Sequence, residues 1–306
     1  MCWAAYLPRT SLRHMPQAVL AIVPTFRPGP RLTELVTSLL SDSSPCVSVL
    51  ISDDASPCSA DPVLRDLARI PRVRVLRHPR NAGIARGLND GFTAAVAADA
   101  TWLLTLDQDS RIEPVTLSAL IATATRLFAA QPPLGVLAPG QIDEAAGTLA
   151  IPGTRRADGL TDAREVMQSG ALWSVSALRA IGGFDETLGM DGVDAGASLS
   201  LREAGYLVLA DPALHIDHQI GDPSRSRTVR ILGHASSHTA HGPSRRRSMI
   251  RARLRLFPRE WRQSPANALR TLRRVAVGAG LAVALEPDRW AQAQASMRGI
   301  RDGLRR

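Results

Sequence analysis

The sequence contains Thr101-Trp102-Leu103-Leu104-Thr105-Leu106-Asp107-Gln108-Asp109-Ser110, an apolar run that ends in two carboxylates one residue apart. Residues 102–106 are typical of a short buried strand. Because a buried strand cannot keep unpaired carboxylates inside, we expect Asp107 and Asp109 where the strand emerges. Two hard oxygen ligands at that point suit Mg²⁺ or Mn²⁺. The alternative is that Asp109 and Ser110 only cap the next helix.

Strand-like and helix-like segments alternate before this run. Apolar strands are indicated at 18–23, 47–51 and 73–76, with helical patterns at 31–40 and 87–98. This alternation predicts an α/β fold with a doubly wound, mostly parallel sheet. The carboxyl ends of such strands face one crevice, where ligands bind. The polar residues expected there are Thr25, Arg27, Asp53, Asn81, Asp107 and Asp109.

The crevice lacks the sequence signatures of two common nucleotide sites. No Gly-x-Gly-x-x-Gly follows the first strand, and no Gly-x-x-x-x-Gly-Lys-Ser/Thr is present. A dinucleotide cofactor and a P-loop are therefore unsupported. Asp53 is well placed to accept hydrogen bonds from a base or ribose, although Asp-Asp-Ala-Ser is also good turn chemistry.

Two later clusters carry further candidate groups. Asp191 and Asp194 precede a helix expected at 195–204, where helix capping is the alternative role. His215 and His218 stand three residues apart beside acids. Such a pair favours metal ligation more than a lone histidine, which is usually structural.

Charge divides the chain of 306 residues. All 37 basic residues are arginine; from residue 225 to the end there are 19 of them against four acids, whereas the remainder has 18 against 24 acids. We expect a disordered leader at 1–14, a catalytic domain at 15–224 and a basic, mainly helical region at 225–306. The basic region predicts an anionic partner: nucleic acid, a lipid surface or a diphosphate substrate.

Composition narrows the partner and the location. Nucleic acid is disfavoured, since no nucleic-acid module is recognisable and aromatic residues are only 4%. Three irregularly spaced cysteines, and no sequence resembling a signal peptide, favour the cytoplasm. The segment 251–257 with Trp261 mixes arginine and apolar residues, as a helix on an anionic membrane does; the alternative is a solvated cationic face.

Five motifs follow one another along the chain: Val-Pro-Thr-Phe at 23–26, Ser-Asp-Asp-Ala-Ser at 52–56, Asn-Ala-Gly-Ile-Ala-Arg-Gly-Leu-Asn-Asp-Gly at 81–91, Leu-Asp-Gln-Asp-Ser at 106–110 and Gly-Gly-Phe-Asp-Glu at 182–186. In this order they resemble the family 2 glycosyltransferases of the GT-A fold, over nearly everything from residue 18 onward. The segments 218–222, 241–246 and 298–304 resemble the rhamnosyltransferase branch.

The resemblance implies a role for each matching residue. Asp194 corresponds to the catalytic base, with Asp191 beside it. The nucleotide sugar would contact Pro24, Thr25, Arg27, Asp53, Asn81, Gly83, Asn89 and Asp107. Mg²⁺ or Mn²⁺ would be held by Asp107, Asp109 and His218. The acceptor or its phosphate would meet Trp173, His241, Arg245 and Arg246.

The resemblance also implies an activity. We expect an inverting, metal-dependent transfer of a sugar, with dTDP-rhamnose favoured as donor. The acceptor would be a glycan or a lipid-linked molecule in cell-envelope polysaccharide synthesis, at the inner face of the cell membrane. A nucleotidyltransferase is a rival, but its glycine-rich, basic N-terminal loop is missing.

One segment departs from the branch pattern. Where the pattern has Glu, Trp and its first Arg after the base, this chain has Gly196, Ala197 and further small residues. Those missing groups would orient the base and contact the acceptor. Their loss leaves open a catalytically weak protein that binds sugar nucleotides.

Overall fold

The computed structural model describes residues 19–41, 47–128, 132–144, 147–217, 227–231, 234–238, 241–286 and 288–305. The expected leader at 1–14, the candidate ligand His218 and the expected domain boundary at 224 lie outside these residues.

The first four strands form the predicted parallel half of the sheet. They are β1 (Val19–Thr25), β2 (Val47–Asp53), β3 (Val73–Arg77) and β4 (Trp102–Thr105), in the order β3-β2-β1-β4. Their pairing is parallel throughout. The helices between and after them are α1 (Pro30–Leu39), α2 (Asp61–Ala68), α3 (Ile84–Ala97) and α4 (Pro114–Arg126). The alternation expected from the sequence is confirmed, and all four strands end at the same edge.

The second half of the sheet is mixed. It contains β5 (Leu134–Glu144), β6 (Gly147–Ala150), β7 (Gly153–Arg155), β8 (Thr161–Ala163), β9 (Ala171–Ser174) and β10 (Leu207–Asp217). β9 lies antiparallel between β4 and β5, and β10 pairs parallel with β5. The chain passes from β5 to β9 through the short strands β6–β8 instead of a crossover helix, so β9 runs in the opposite direction.

Helix α3 approaches strand β1 unusually closely. A Cβ on Gly91 would lie 2.4 Å from the Ile22 Cβ, and one on Gly87 would lie 3.0 Å from the Pro24 Cβ. Only glycine allows this distance between helix and strand. The close packing brings the N-terminus of α3 to the carboxyl end of β1.

The C-terminal region is helical, as expected. α5 (Val175–Ile181) and α6 (Val193–Glu203) belong to the α/β domain, and β11 (Arg227–Ile231) pairs with β12 (His234–His238). They are followed by α7 (Pro243–Gln263), α8 (Pro265–Leu285) and α9 (Arg289–Leu304). Ala252 and Leu256 of α7 are buried in the same apolar cluster as residues of the sheet. None of the described helices combines the length and apolar character needed to cross a bilayer.

Candidate active site

Asp53 lies at the carboxyl end of β2 with its side chain fully buried. Its Oδ2 accepts a hydrogen bond from the Ser56 amide at 3.3 Å and lies 3.1 Å from Arg77 Nε. Among the residues that the structure describes, none hydrogen-bonds to its buried Oδ1. A buried acceptor without a donor costs free energy, so this oxygen can be satisfied by an N–H or O–H group of a ligand.

Asp54, which sequence reasoning did not single out, holds the loop before α3. Its carboxylate accepts hydrogen bonds from the amides of Ala82 at 2.6 Å and Gly83 at 2.9 Å. Gly83 has φ +88°, which favours glycine, and Asn81 beside it is exposed. The second carboxylate of the Asp-Asp pair thus shapes the loop that carries two of the expected nucleotide contacts.

A further polar group lies behind this loop. His78 Nε2 is 2.6 Å from Asp90 Oδ2, which also accepts from the Ser52 hydroxyl at 2.7 Å. His78 Nδ1 is 3.6 Å from Asp54 Oδ1. The carboxylates of β2's end and α3 are therefore linked through one imidazole, a connection that no short motif revealed.

Gln108 joins the ends of β1 and β4. Its side-chain amide accepts from the Phe26 N–H and donates to the Phe26 carbonyl, both at 3.0 Å. Arg27 follows with φ +53°, in the left-handed region that non-glycine residues seldom adopt. Its exposed guanidinium lies 5.1 Å from the Phe26 ring centroid, and its amide donates to Ser56 Oγ at 2.7 Å. The β1 and β4 loops therefore place Arg27 and the 107–109 carboxylates at one edge; Thr25 is buried just below.

Asp107 is positioned by two residues from the segment before β9. Its amide donates to Ser169 Oγ at 3.0 Å, and Gln168 donates to its carboxylate. Asp107 and Asp109 are both half-buried. They can supply two oxygen ligands to Mg²⁺ or Mn²⁺, leaving the other positions to phosphate and water. Within the described ranges no cluster of three or more His, Cys, Asp or Glu residues could enclose a metal by itself.

Asp194 lies in the first turn of α6, where helix formation begins two residues earlier than expected. Its Oδ1 accepts from the Ala195 amide at 2.8 Å. Burial, and then the charge of Glu165, raise the pKa of Asp194 to about 6, whereas Arg253 lowers it. The charge of Asp107 also raises this pKa, so the base candidate and the metal candidate act on each other electrostatically.

Asp191 and Arg245 form a second pair near the start of α6. Arg245 Nε lies 3.3 Å from Asp191 Oδ1, and the Ser248 hydroxyl also hydrogen-bonds to the Asp191 carboxylate. Burial raises the pKa of Asp191. Arg245 stays half exposed and is available to an anionic group.

Two residues expected to meet the acceptor are instead buried in the packing. Trp173 has 0% exposure, donates its indole N–H to Thr105 Oγ1 at 2.8 Å and packs edge-on against Phe184. Arg246 is 5% exposed and pairs with Glu286 at 2.9 Å inside the helical region. The backbone carbonyl of His241 accepts from Gln292 in the same region. The polar groups of Trp173 and Arg246 bind other residues of the protein, Thr105 and Glu286, which the sequence patterns did not reveal.

The Asn89 side chain hydrogen-bonds to the turn that follows α5. Its side-chain amide makes two hydrogen bonds of 2.9 Å to the backbone of Phe184, and its Nδ2 donates to Glu186 at 2.8 Å. A Cβ on Gly183 would lie 2.8 Å from Asn89 Oδ1. The 81–91 and 182–186 motifs are therefore parts of one contact between α3 and the turn after α5.

The small residues after Asp194 are buried beneath α7. A Cβ on Gly196 would lie 2.6 Å from Leu188 Cδ1 and 3.6 Å from Leu256 Cδ2. Arg251 and Arg255 of α7 donate to the carbonyls of Leu188 and Thr187, each at 2.7 Å. The arginines that suggested a membrane-bound helix at 251–257 therefore face the α/β domain, since they satisfy its backbone and carboxylates.

The mixed sheet, with strand-end carboxylates at one edge and a helical extension after it, defines an α/β protein of the GT-A-like class. Residues 20–132 match the family model described as "Glycosyl transferase family 2". The likeness to this family is shown over these residues, which are less than half of the chain. A search of curated proteins finds no match.

Solved structures support the fold. The mannosyltransferase PcManGT of Pyrobaculum calidifontis, in complex with GDP-Man and Mn²⁺, has a TM-score of 0.57 at 17% identity, and the match covers 96% of this chain and 88% of PcManGT. TarS 1-349 of S. aureus, in complex with UDP-GlcNAc, has a TM-score of 0.55 at 14% identity. The match covers 92% of this chain and 70% of the TarS chain. GalNAc-T7 with UDP, GalNAc and Mn²⁺ has a TM-score of 0.56 at 14% identity, and the match covers 77% of this chain. That match spans 47% of GalNAc-T7, about half of its length.

Proposed function

We propose that this chain is a nucleotide-sugar-dependent glycosyltransferase. The observation that carries the proposal is the set of carboxylates at the end of the parallel strands. Asp53 has a buried oxygen to which no described residue hydrogen-bonds, Asp107 and Asp109 follow β4, and Asp194 is close enough for Asp107 to raise its pKa. A nucleotide-sugar transfer needs, at one crevice, an acceptor for the nucleoside, a metal site for the diphosphate and a base for the reacting hydroxyl. Asp53, the pair Asp107 and Asp109, and Asp194 would fill these three roles in turn.

The donor set at β4 fits a hard divalent ion. Asp107 and Asp109 would hold Mg²⁺ or Mn²⁺, and Gln168 and Ser169 fix the orientation of Asp107. Two of the similar structures contain Mn²⁺. When bound, such an ion supplies positive charge opposite the leaving diphosphate. His218 is retained as a proposed third ligand from the resemblance.

Asp194 acts as general base in this proposal. With a pKa of about 6 it is ionised at neutral pH, yet it is a stronger proton acceptor than an ordinary aspartate. It would take the proton of the acceptor hydroxyl while that oxygen attacks the anomeric carbon. Attack from the face opposite the leaving nucleoside diphosphate inverts the configuration.

Substrate identity rests on the resemblance and on charge. dTDP-rhamnose is the favoured donor, with Asp53 facing the base or ribose and Arg27, Asn81 and Gly83 lining the nucleotide pocket. The acceptor is a glycan or lipid-linked molecule of cell-envelope synthesis. The half-exposed Arg245 beside Asp191 is available to a phosphate of such an acceptor.

A sugar-nucleotide-binding protein without transfer activity is the second candidate. It is favoured by Gly196 and Ala197, which stand where the branch pattern has Glu and Trp. The transferase is favoured by the Glu165–Arg253 pair, which places charged groups beside Asp194 from other parts of the chain.

The deciding experiment measures nucleoside diphosphate release from dTDP-rhamnose, UDP-GlcNAc and GDP-mannose, with Mn²⁺ and with a chelator. We expect one donor to turn over only with the metal. Asp109→Asn should lose metal-dependent donor binding, and Asp194→Asn should bind donor without turnover. Asp99→Asn is the control, because Asp99 lies exposed in a turn with φ +54°, which asparagine tolerates.

The outcomes separate the candidates. Metal-dependent binding of a donor without turnover, even with a membrane extract as acceptor, would identify the binding protein. The transferase proposal fails if no donor binds, or if Asp109→Asn and Asp99→Asn behave alike.

A further inference from the structure

Exposed apolar side chains are concentrated on the last helices. In the described part of the chain, eight of the thirteen large hydrophobic residues that are exposed lie between positions 261 and 304. They are Trp261, Leu269, Leu272, Val277, Trp290, Met297, Ile300 and Leu304. An exposed apolar cluster of this kind marks an interaction surface more often than an accident of packing.

Helix α8 exposes several apolar side chains on its outer face. Ala268, Thr271 and Ala282 are buried on the inner face. Leu269 is 52% exposed and Val277 44% exposed on the outer face. Residues 275–285 contain no charged side chain. The second half of α8 is therefore apolar where a water-facing helix would be polar, whereas Arg270, Arg273 and Arg274 are exposed in its first half.

Helix α9 exposes an apolar stripe beside a cationic one. Trp290, Met297 and Leu304 are 79%, 62% and 69% exposed and recur every seven residues. Arg298, Arg301 and Arg305 are exposed at a spacing that puts them on the adjacent stripe of the outer face. The opposite face is built for close packing: a Cβ on Gly299 would lie 3.0 Å from Ile250 Cβ, and one on Gly303 2.7 Å from Leu254 Cβ, both on α7.

The acids of this region leave most of its positive charge unpaired; one of them, Asp288, is exposed directly before α9. Glu286 is buried against Arg246, and Asp302 pairs with Arg247 of α7 and with Arg301. Among the described residues, no carboxylate lies within salt-bridge distance of Arg298, Arg305 or Arg273 of α8. The outer faces of α8 and α9 therefore combine exposed apolar groups with positive charge that is largely uncompensated.

We propose that the outer faces of α8 and α9 bind the surface of an anionic lipid bilayer without crossing it. A helix with an apolar stripe bordered by arginine suits the boundary between headgroups and acyl chains. Tryptophan favours that boundary, and arginine is attracted to anionic headgroups. A second copy of this chain fits less well, since its matching face would bring arginines against arginines. The surface differs from the one suggested by residues 251–257, whose arginines contact the α/β domain.

The test is co-sedimentation of the full chain with vesicles of phosphatidylglycerol and phosphatidylcholine, compared with phosphatidylcholine alone. We expect binding only to the anionic vesicles, weakened by added salt. Trp290→Ser with Met297→Ser, and separately Arg298→Gln with Arg305→Gln, should each weaken partitioning about tenfold or more. Matched controls are Val115→Ser and Arg69→Gln, which remove an exposed apolar group and an exposed arginine from other surfaces.

Three outcomes would overturn the proposal. The wild-type chain does not bind anionic vesicles; the α9 variants bind as tightly as the controls; or light scattering shows a dimer that Trp290→Ser with Met297→Ser converts to a monomer while vesicle binding is unchanged. The variants change only exposed side chains, and circular dichroism verifies that they fold.

Discussion

Arg253 of α7 forms a two-bond salt bridge with Glu165, with N–O distances of 2.6 and 3.0 Å. The pair joins the C-terminal helices to the segment after β8, and both charges act on Asp194. Glu165 raises the pKa of Asp194 and Arg253 lowers it. The helical extension therefore contributes to the electrostatics of the proposed base.

Removing Arg253 and removing Glu165 should shift the pH profile of kcat/KM in opposite directions. Arg253→Gln removes a positive charge, so the pKa of Asp194 rises and the acid limb of kcat/KM shifts to higher pH. Glu165→Gln removes a negative charge and leaves Arg253 unpaired, so the limb shifts to lower pH. Arg259→Gln is the matched control, because it breaks a different α7 ion pair, with Glu203. A fall in activity at every pH with the limb unmoved would mean that the pair is only structural.

Asp194 should cost stability at neutral pH. A carboxyl whose pKa is higher in the folded protein than in the unfolded chain holds its proton more tightly when folded. The contribution of Asp194 to stability is therefore greatest below its ordinary pKa of 3.8 and falls as pH rises toward about 6. Asp194→Asn should raise the free energy of unfolding by about 3 kcal/mol at pH 8 and change it little at pH 3.5.

Denaturant unfolding of the metal-free protein at both pH values measures this difference. Asp99→Asn, at an exposed turn, should show no dependence on pH. A loss of stability at pH 8 in Asp194→Asn would contradict this prediction, because it would show that the folded protein stabilises the charged form of Asp194. The expected gain, together with lost turnover, is the trade-off seen when a site keeps a destabilising group for function.

The strand ends could be predicted because they depend on local patterns. Apolar runs such as 102–106 must stop where carboxylates begin, and parallel strands share one edge, so Asp53 and Asp107 follow from sequence alone. The Glu165–Arg253 pair could not, since its members are 88 positions apart and meet only when α7 packs on the domain. Trp173 shows the converse limit. Its indole N–H is satisfied internally by Thr105, so a residue type common in binding sites is part of the core.

Asp53 should control nucleotide affinity through its buried Oδ1. Asp53→Asn keeps the shape of the side chain and removes its charge. If Oδ1 accepts a hydrogen bond from the ligand, affinity for dTDP or UDP should fall roughly tenfold to hundredfold. Calorimetric titration with Mn²⁺ present measures the change.

Asp61→Asn provides the control for Asp53. Asp61 also pairs with Arg77, so this variant disturbs the same guanidinium without touching the proposed ligand contact. Equal losses in Asp53→Asn and Asp61→Asn would assign the effect to Arg77. Unchanged affinity in Asp53→Asn would remove Asp53 from the nucleotide pocket.

Substitutions at Gly196 test whether the packing around it requires glycine at the position where the branch pattern has glutamate. Any side chain there meets Leu188 Cδ1, whose residue is 1% exposed. Gly196→Ala should therefore cost about 1–3 kcal/mol of unfolding free energy by overpacking. In a Leu188→Ala background the same change should cost nothing or stabilise, because alanine suits a helix interior better than glycine by roughly 0.5–1 kcal/mol.

Gly280→Ala is the matched control for this cycle. Gly280 lies inside α8, and a Cβ added there would have no other atom within 4 Å, so alanine should stabilise by about 0.5–1 kcal/mol. Denaturant unfolding of the single and double variants measures the coupling. Equal changes in unfolding free energy for Gly196→Ala and Gly280→Ala would mean that the Leu188 side chain moves aside at no cost. A glutamate could then be restored at position 196 without displacing Leu188, and the small residue would reflect a different acceptor instead of the packing beneath α7.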